Sequence, residues 1–299
     1  MSLGTPHVQQ AGGMQTRVIG DRTVSAIGLG GMPMSNPGRP DRARCLRTVQ
    51  GSLDAGVTLV DTADAYCLDD SDVGHNEVLI AEALRTWGGD VDTVLVATKG
   101  GHTRTADGGW ALDGRPEHLR AAAQASAQRL GVEAIGLYQL HRPDPDVPLA
   151  DSLGALAELL DAGTIQLAGV SNLDPDQIRL AQEVLGGRLA SVQNQYSPSF
   201  LSSRPELDLC TELGVAFLPW SPLGGIGGAR ELGSTHAVFA EVAAEHEASP
   251  QQVCLAWMLA TSPVVVPIPG SSRPKSARAS AAAADLELSA EQLSRLDAA

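Results

Sequence analysis

Gly28-Leu29-Gly30-Gly31-Met32-Pro33 is the stretch whose reading decides the fold. It closes the first long apolar run and opens as a dinucleotide-binding turn would, with glycine, spacer, glycine. Such a turn needs G-x-G-x-x-G, because its third glycine lets the following helix pack closely on the strand. Pro33 stands in that place. A second glycine-rich stretch starts at Gly225 and reaches Arg230 where the last glycine belongs, so it fails likewise. A doubly wound sheet built on that signature is set aside.

Outward from this stretch the chain alternates short apolar runs with longer helix-patterned segments. Strands are expected at Ala26–Gly30, Thr58–Asp61, Val94–Thr98, Ile135–Leu140, Leu167–Val170, Ala190–Gln193, Ala216–Pro219 and Val264–Pro267. Their near-continuous apolar character suits parallel strands covered on both faces. Helices are expected at Arg42–Ala55, Asn76–Trp87, Pro116–Leu130, Leu149–Ala162, Pro175–Leu185, Pro205–Leu213 and across Val238–Leu259. Glycines at 56, 88, 131, 163, 186 and 214 read as helix ends, and Asp174-Pro175 reads as a capped helix start. The expected fold is α/β, a (β/α)₈ TIM barrel preceded by a short hairpin over Thr16–Val24 that turns at Gly20-Asp21. Residues 1–14 read as a tail, and 15–299 as a single barrel domain.

The composition excludes several function classes. A formal charge of −14 over 299 residues argues against nucleic acid and anionic membrane as partners. Cys45, Cys67, Cys210 and Cys254 are widely spaced, with neither a CxxC pair nor nearby histidines, so they read as reduced thiols and no metal site is expected. No run of 18 apolar residues and no basic-then-apolar leader is present, which makes a cytoplasmic location the expectation. A small-molecule partner, with the chain as monomer or weak homo-oligomer, completes that reading.

In a barrel the chemistry sits where strands end and βα loops begin. Asp61 closes the second expected strand, Lys99 the third and His141 the fourth, while Tyr66 lies five residues beyond Asp61. Carbonyl reduction leaves negative charge on oxygen and needs a proton donor. A free tyrosine, with a pKa near ~10, is a reluctant acid at neutral pH, and a neighbouring lysine is expected to lower that value. Asp61 would orient Lys99, and His141 would hold the carbonyl oxygen. The histidines at 7, 75, 102, 118, 236 and 246 lack such a setting and read as solvated or packing residues.

Seven fragments in order carry a family resemblance: VDTADAY from Val60 to Tyr66, ATKG from Ala97 to Gly100, LYQLHRPD from Leu137 to Asp144, GVSN from Gly169 to Asn172, QNQYS from Gln193 to Ser197, WSPLGG from Trp220 to Gly225, and IPGSS from Ile268 to Ser272. Over nearly the whole chain after Met14 the sequence resembles the aldo-keto reductase superfamily. The resemblance implies reduction of small aldehydes or ketones by NADP(H), with Asp61, Tyr66, Lys99 and His141 as catalytic residues and Tyr66 as general acid. It also implies that Ser171, Asn172 and Gln193 hold the nicotinamide amide and that Trp220 stacks on its ring. Ser221, Leu223 and Gly225 would wrap the pyrophosphate in a glycine-rich loop able to close as a lid. Gly270, Ser271, Ser272 and Arg273 lead into a helix N-terminus, an anion site where Arg273, supported by Lys275, would meet the adenosine 2′-phosphate. Family members often carry Glu-Asn where Ala279 and Ser280 stand, so adenine contacts differ here.

Met32, Met34, Trp110 and Tyr66 are expected to line the substrate pocket. Residues Leu29–Ser35 and the PLGG segment resemble a bacterial subgroup that includes pyridoxal reductases, which makes pyridoxal a candidate substrate. The acidic loop from Cys67 to Gly74 would disfavour anionic substrates if it faced the pocket. The alternative is a cofactor-binding redox sensor or regulatory subunit with little turnover, as potassium-channel β subunits of this fold illustrate. A metal-dependent barrel hydrolase would need an HxH pair or carboxylate cluster at the strand ends, which the sequence lacks.

Overall fold

The computed structural model describes residues 14–298. The expected tail lies outside the described residues except for Met14, which is half-buried against the core cluster that includes Leu53 and Val57. An antiparallel hairpin of β1 (Thr16–Ile19) and β2 (Arg22–Ser25) comes first, turning at Gly20-Asp21 as expected. A parallel sheet follows, formed by β3 (Leu29–Gly30), β4 (Leu59–Asp61) and β5 (Leu95–Gly100). After the antiparallel arm of β6 (His102–Arg104) and β7 (Trp110–Leu112) it continues through β8 (Ile135–Leu140), β9 (Ile165–Ser171), β10 (Leu189–Gln193) and β11 (Ala216–Phe217). The hydrogen-bonded order is β11-β10-β9-β8-β5-β4-β3.

Residues 264–270 close this sheet into a barrel, although the expected eighth strand is not a regular one. On one side Phe217 N–H donates to Val264 O at 2.9 Å and Val266 N–H to Phe217 O at 2.9 Å. On the other, Gly28 N–H donates to Pro267 O at 2.9 Å and Gly30 N–H to Pro269 O at 3.0 Å. Pro267 and Pro269 have no N–H to give, so the closure consists of isolated bridges instead of a ladder. Inside it, Leu59, Leu95, Ala97, Leu137, Ala216, Leu218 and Val266 pack together, joined by Ile19 and Val24 of the hairpin.

The outer ring comprises α1 (Arg42–Leu53), α2 (His75–Arg85), α3 (Pro116–Leu130), α4 (Leu149–Asp161), α5 (Pro175–Val184) and α6 (Arg204–Leu213). It continues with α7 (Gly225–Thr235), α8 (Ala237–Glu245), α9 (Pro250–Thr261), α10 (Pro274–Ala282) and α11 (Ala290–Asp297). Asp174 caps α5 in a reciprocal capping box with Gln177, as the Asp-Pro signal implied. Of the expected glycine ends, Gly131 and Gly214 take the left-handed conformation directly after α3 and α6, whereas Gly88 does not. The long segment over Val238–Leu259 is two helices, because Ser249-Pro250 starts α9 with its own capping box. The stretch after Gly224, expected as a loop, is the first turn of α7. The arm β6–β7 and helix α11 were not anticipated. No helix among the described residues is long and apolar enough to cross a membrane.

Candidate active site

Parallel strands all end at one mouth of the barrel, so their last residues meet there even when they are distant in sequence. Asp61 is the final residue of β4, Lys99 lies one residue before the end of β5, and His141 follows β8 directly. Ser171 and Gln193 end β9 and β10. Lys99 is fully buried, and its ammonium donates to Asp61 Oδ2 at 2.7 Å, Thr62 O at 2.9 Å and Tyr66 Oη at 3.0 Å. Three acceptors within hydrogen-bond reach satisfy its three donors and hold the charge away from water. Asp61 also accepts from Gln193 Nε2 at 2.8 Å, so the carboxylate is anchored from two strands.

The electrostatic directions follow from this packing. The Asp61 carboxylate and Tyr66 outweigh burial and hold the Lys99 ammonium above its ordinary range. Tyr66 is raised, not lowered as expected, because burial of the phenol exceeds the opposing pull of Lys99. The phenol therefore keeps its proton at neutral pH. Burial, with Lys99, His102 and Arg142 nearby, drives His141 well below the ordinary imidazole value, so the ring is neutral. Its plane meets the Tyr66 ring edge-on at 5.6 Å between centroids, and its buried Nδ1 has no partner.

Above these groups opens a cavity of ≈ 520 Å³, within the usual range for small-molecule sites. Asp61, Tyr66 and His141 line it; Lys99 is buried, bonded to Asp61 and Tyr66. Ser171, Asn172, Gln193 and Trp220 form one wall, with Ser221, Leu223 and Gly225 beside them. Gly270, Ser271, Ser272 and Arg273 also line it, together with Ala279 and Ser280. Met32 and Trp110 also line it. Asn172 and Ser221 both have positive φ, 61° and 50°, a strained conformation for non-glycine residues that sites tend to retain. Asn172 is held there by donating from Nδ2 to His141 O at 3.0 Å and accepting from Trp220 Nε1 at 3.2 Å.

Several expectations change. Met34 is fully buried beneath α1 with Cys45 and Val49 and does not reach the cavity. Apart from Tyr66, which precedes it, the acidic loop 67–74 is absent from the lining; Asp72 pairs with Arg39 at 2.5 Å, and Asp69 accepts from Ser71 N–H. Lys275 likewise does not line it. His102, read as a packing residue, sits in the wall with its ring 4.5 Å from His141 and 5.1 Å from Trp110. It was missed because the β6–β7 arm that carries it has no periodic apolar signal. Arg104 of the same arm stacks 4.0 Å from the Trp110 ring centre and pins the indole at the mouth. Gln251, Gln252 and Ser249 reach the cavity from the start of α9, and no sequence signal marked them.

The Aldo/keto reductase family model matches residues 26–299, almost all of the described barrel. The chain belongs to the aldo-keto reductase family. An uncharacterized oxidoreductase of Schizosaccharomyces pombe is 34% identical over 93% of this chain and 88% of the relative. The pyridoxine 4-dehydrogenase of Escherichia coli is 30% identical over 94% and 97%. Among solved structures, an aldo/keto reductase from Klebsiella pneumoniae in complex with NADP and acetate superposes with a TM-score of 0.78 at 26% identity, covering 96% of this chain and 95% of the other. The chain is thus an oxidoreductase of aldo-keto reductase type, on the barrel expected from its sequence.

Proposed function

We propose that this aldo-keto reductase is an NADPH-dependent carbonyl reductase with Tyr66 as proton donor. The observation that carries the reading is the buried Lys99 ammonium 3.0 Å from Tyr66 Oη at the floor of the cavity. Asp61 keeps that ammonium charged. As negative charge develops on a carbonyl oxygen beside Tyr66, its O–H proton moves to that oxygen, and the phenolate left behind is held by Lys99. Neutral His141 positions the same oxygen without adding a competing proton. The residues act within a single barrel domain over 15–299.

The cavity fits the cofactor on its own chemistry. Gly224 and Arg273, at the starts of α7 and α10, make no side-chain cap bond, which leaves helix N–H groups available to phosphate oxygens at Gly225 and beyond Arg273. A Cβ at Gly270 would meet Pro33 Cγ at 2.9 Å, so the backbone there must remain bare. Ser171, Asn172 and Gln193 present hydroxyl and amide groups suited to a carboxamide, and Trp220 offers an indole face to a ring. Arg273 and Arg230 would take the phosphates, with Arg273 at the 2′-phosphate. When bound, NADPH supplies the hydride.

Pyridoxal is one candidate substrate beside generic aldehydes, supported by the resemblance to the pyridoxine 4-dehydrogenase relative. The test is loss of NADPH absorbance with 4-nitrobenzaldehyde, methylglyoxal and pyridoxal, for wild type and Tyr66→Phe at saturating cofactor. The variant is expected to bind NADPH and lose roughly 10²–10⁴-fold in kcat. Cofactor binding without turnover by either protein would favour a redox sensor instead.

A further inference from the structure

Four charged residues line the cavity: Asp61, Arg142, Arg230 and Arg273. The single carboxylate is already engaged by Lys99 and Gln193. Arg230 and Arg273 sit beyond β11 and beyond the closing segment, on the side where helix starts await phosphates. Arg142 follows His141 at the end of β8, on the opposite side of the barrel order. Its guanidinium is exposed and makes no hydrogen bond or ion pair among the described residues. Its charge reaches both wall imidazoles, since it opposes protonation of His141 and of His102, which burial and that charge hold at about 4. Nδ1 of His102 and Nδ1 of His141 are both buried without a partner. An unpaired cation and two unsatisfied imidazole nitrogens therefore share the cavity wall beside Tyr66.

This local sign is opposite to that of the chain, whose net charge is −14. At physiological salt the screening length is about 8 Å, so a ligand in the cavity feels Arg142 far more than the distant surface carboxylates. The acidic loop that could have reversed the sign turns away and spends Asp72 on Arg39. We propose that Arg142 is the specificity-determining residue of this site and that it selects carbonyl substrates carrying an anionic group, a carboxylate or a phosphate monoester. His102, neutral, would stand beside that group, and Trp110, held by Arg104, would cover the intervening apolar part of the substrate. The proposal rests on the reductase reading above and names its substrate class.

The test compares kcat/KM for 4-carboxybenzaldehyde and 4-formylphenyl phosphate with that for the neutral methyl 4-formylbenzoate, in wild type, Arg142→Gln and Arg142→Lys. Wild type is expected to prefer the anionic aldehydes by about twofold to fivefold at low salt, the ratio of a single well-placed rim ion pair. The ratio falls toward unity in Arg142→Gln, is partly restored in Arg142→Lys, and shrinks as salt rises. The two anions separate the sources: a preference confined to one identifies carboxylate or phosphate as the group selected. Binding of 4-(hydroxymethyl)benzoate against benzyl alcohol, by calorimetry with NADP present, gives a readout independent of turnover. If Arg142→Gln leaves both the ratio and the binding difference unchanged, the proposal is overturned while the reductase reading stands. If no aldehyde is reduced yet carboxylate binding still depends on Arg142, the anion site stands and the reductase reading falls.

Discussion

Replacing Asp61 by Asn probes the buried charge centre directly. Asn keeps the shape and can still offer one amide oxygen to the Lys99 ammonium that now donates to Oδ2 at 2.7 Å, but it removes the negative charge. Lys99 is fully buried, so the variant strands a cation without its counter-charge, a loss worth about 3–5 kcal/mol. Shedding the proton sets the ceiling: keeping an amine of ordinary pKa ~10.4 neutral at pH 7 costs about 4–5 kcal/mol, and at pH 9 only about 2 kcal/mol. In the wild type the Lys99 value is raised, so its contribution is constant below ~10.4 and is lost only as pH climbs through the higher folded value. In the variant the folded value drops beneath the unfolded one, the unfolded chain binds more protons, and stability rises with pH by up to about 1.4 kcal/mol per unit. Urea unfolding of both proteins at pH 7, 8 and 9, followed by circular dichroism, measures the gap. A gap of several kcal/mol that narrows by half or more across this range is expected. A gap below about 1 kcal/mol, or one independent of pH, would refute the account of Lys99 as a buried ammonium held by Asp61.

Two further outcomes follow from the site. His102 and His141 are both depressed in the folded state, so acidification below ~6.5 puts protons on the unfolded chain first and stability declines; His102→Gln is expected to reduce that acid slope in thermal midpoints between pH 7 and 5. Asp64, fully buried beside Glu77 with Oδ1 unpartnered, is raised to about 8 and carries its proton at neutral pH. Its contribution falls as pH rises from ~3.9 toward 8, so Asp64→Asn should gain stability on the order of 2 kcal/mol or more at pH 7, a gain that grows with pH in urea titrations; a variant less stable than wild type at pH 8 would contradict this.

Much of the fold was legible because parallel strands buried on both faces and capped helices leave local marks. β8 and α3 coincide with their expected bounds, and α5 starts at its expected cap. Val264–Pro267 was read as a strand from its apolar run, yet Pro267 and the following Pro269 reduce segment 264–270 to bridges. The β6–β7 arm was invisible because each of its strands is only three residues long and contacts such as Arg104 on Trp110 leave no periodicity.

The sequence by itself determined the barrel and placed Asp61, Tyr66, Lys99 and His141 together at its mouth, since each terminates or follows a recognisable apolar run. Tertiary structure alone decided what surrounds them: Met34 under α1 instead of in the pocket, His102 against His141, the acidic loop turned outward, and Arg142 left unpaired at the mouth. It also decided the direction of the Tyr66 shift, because burial and charge act with opposite sign and only packing sets which prevails. Strand ends can be read from hydrophobic pattern, but the facing of a loop depends on partners far along the chain.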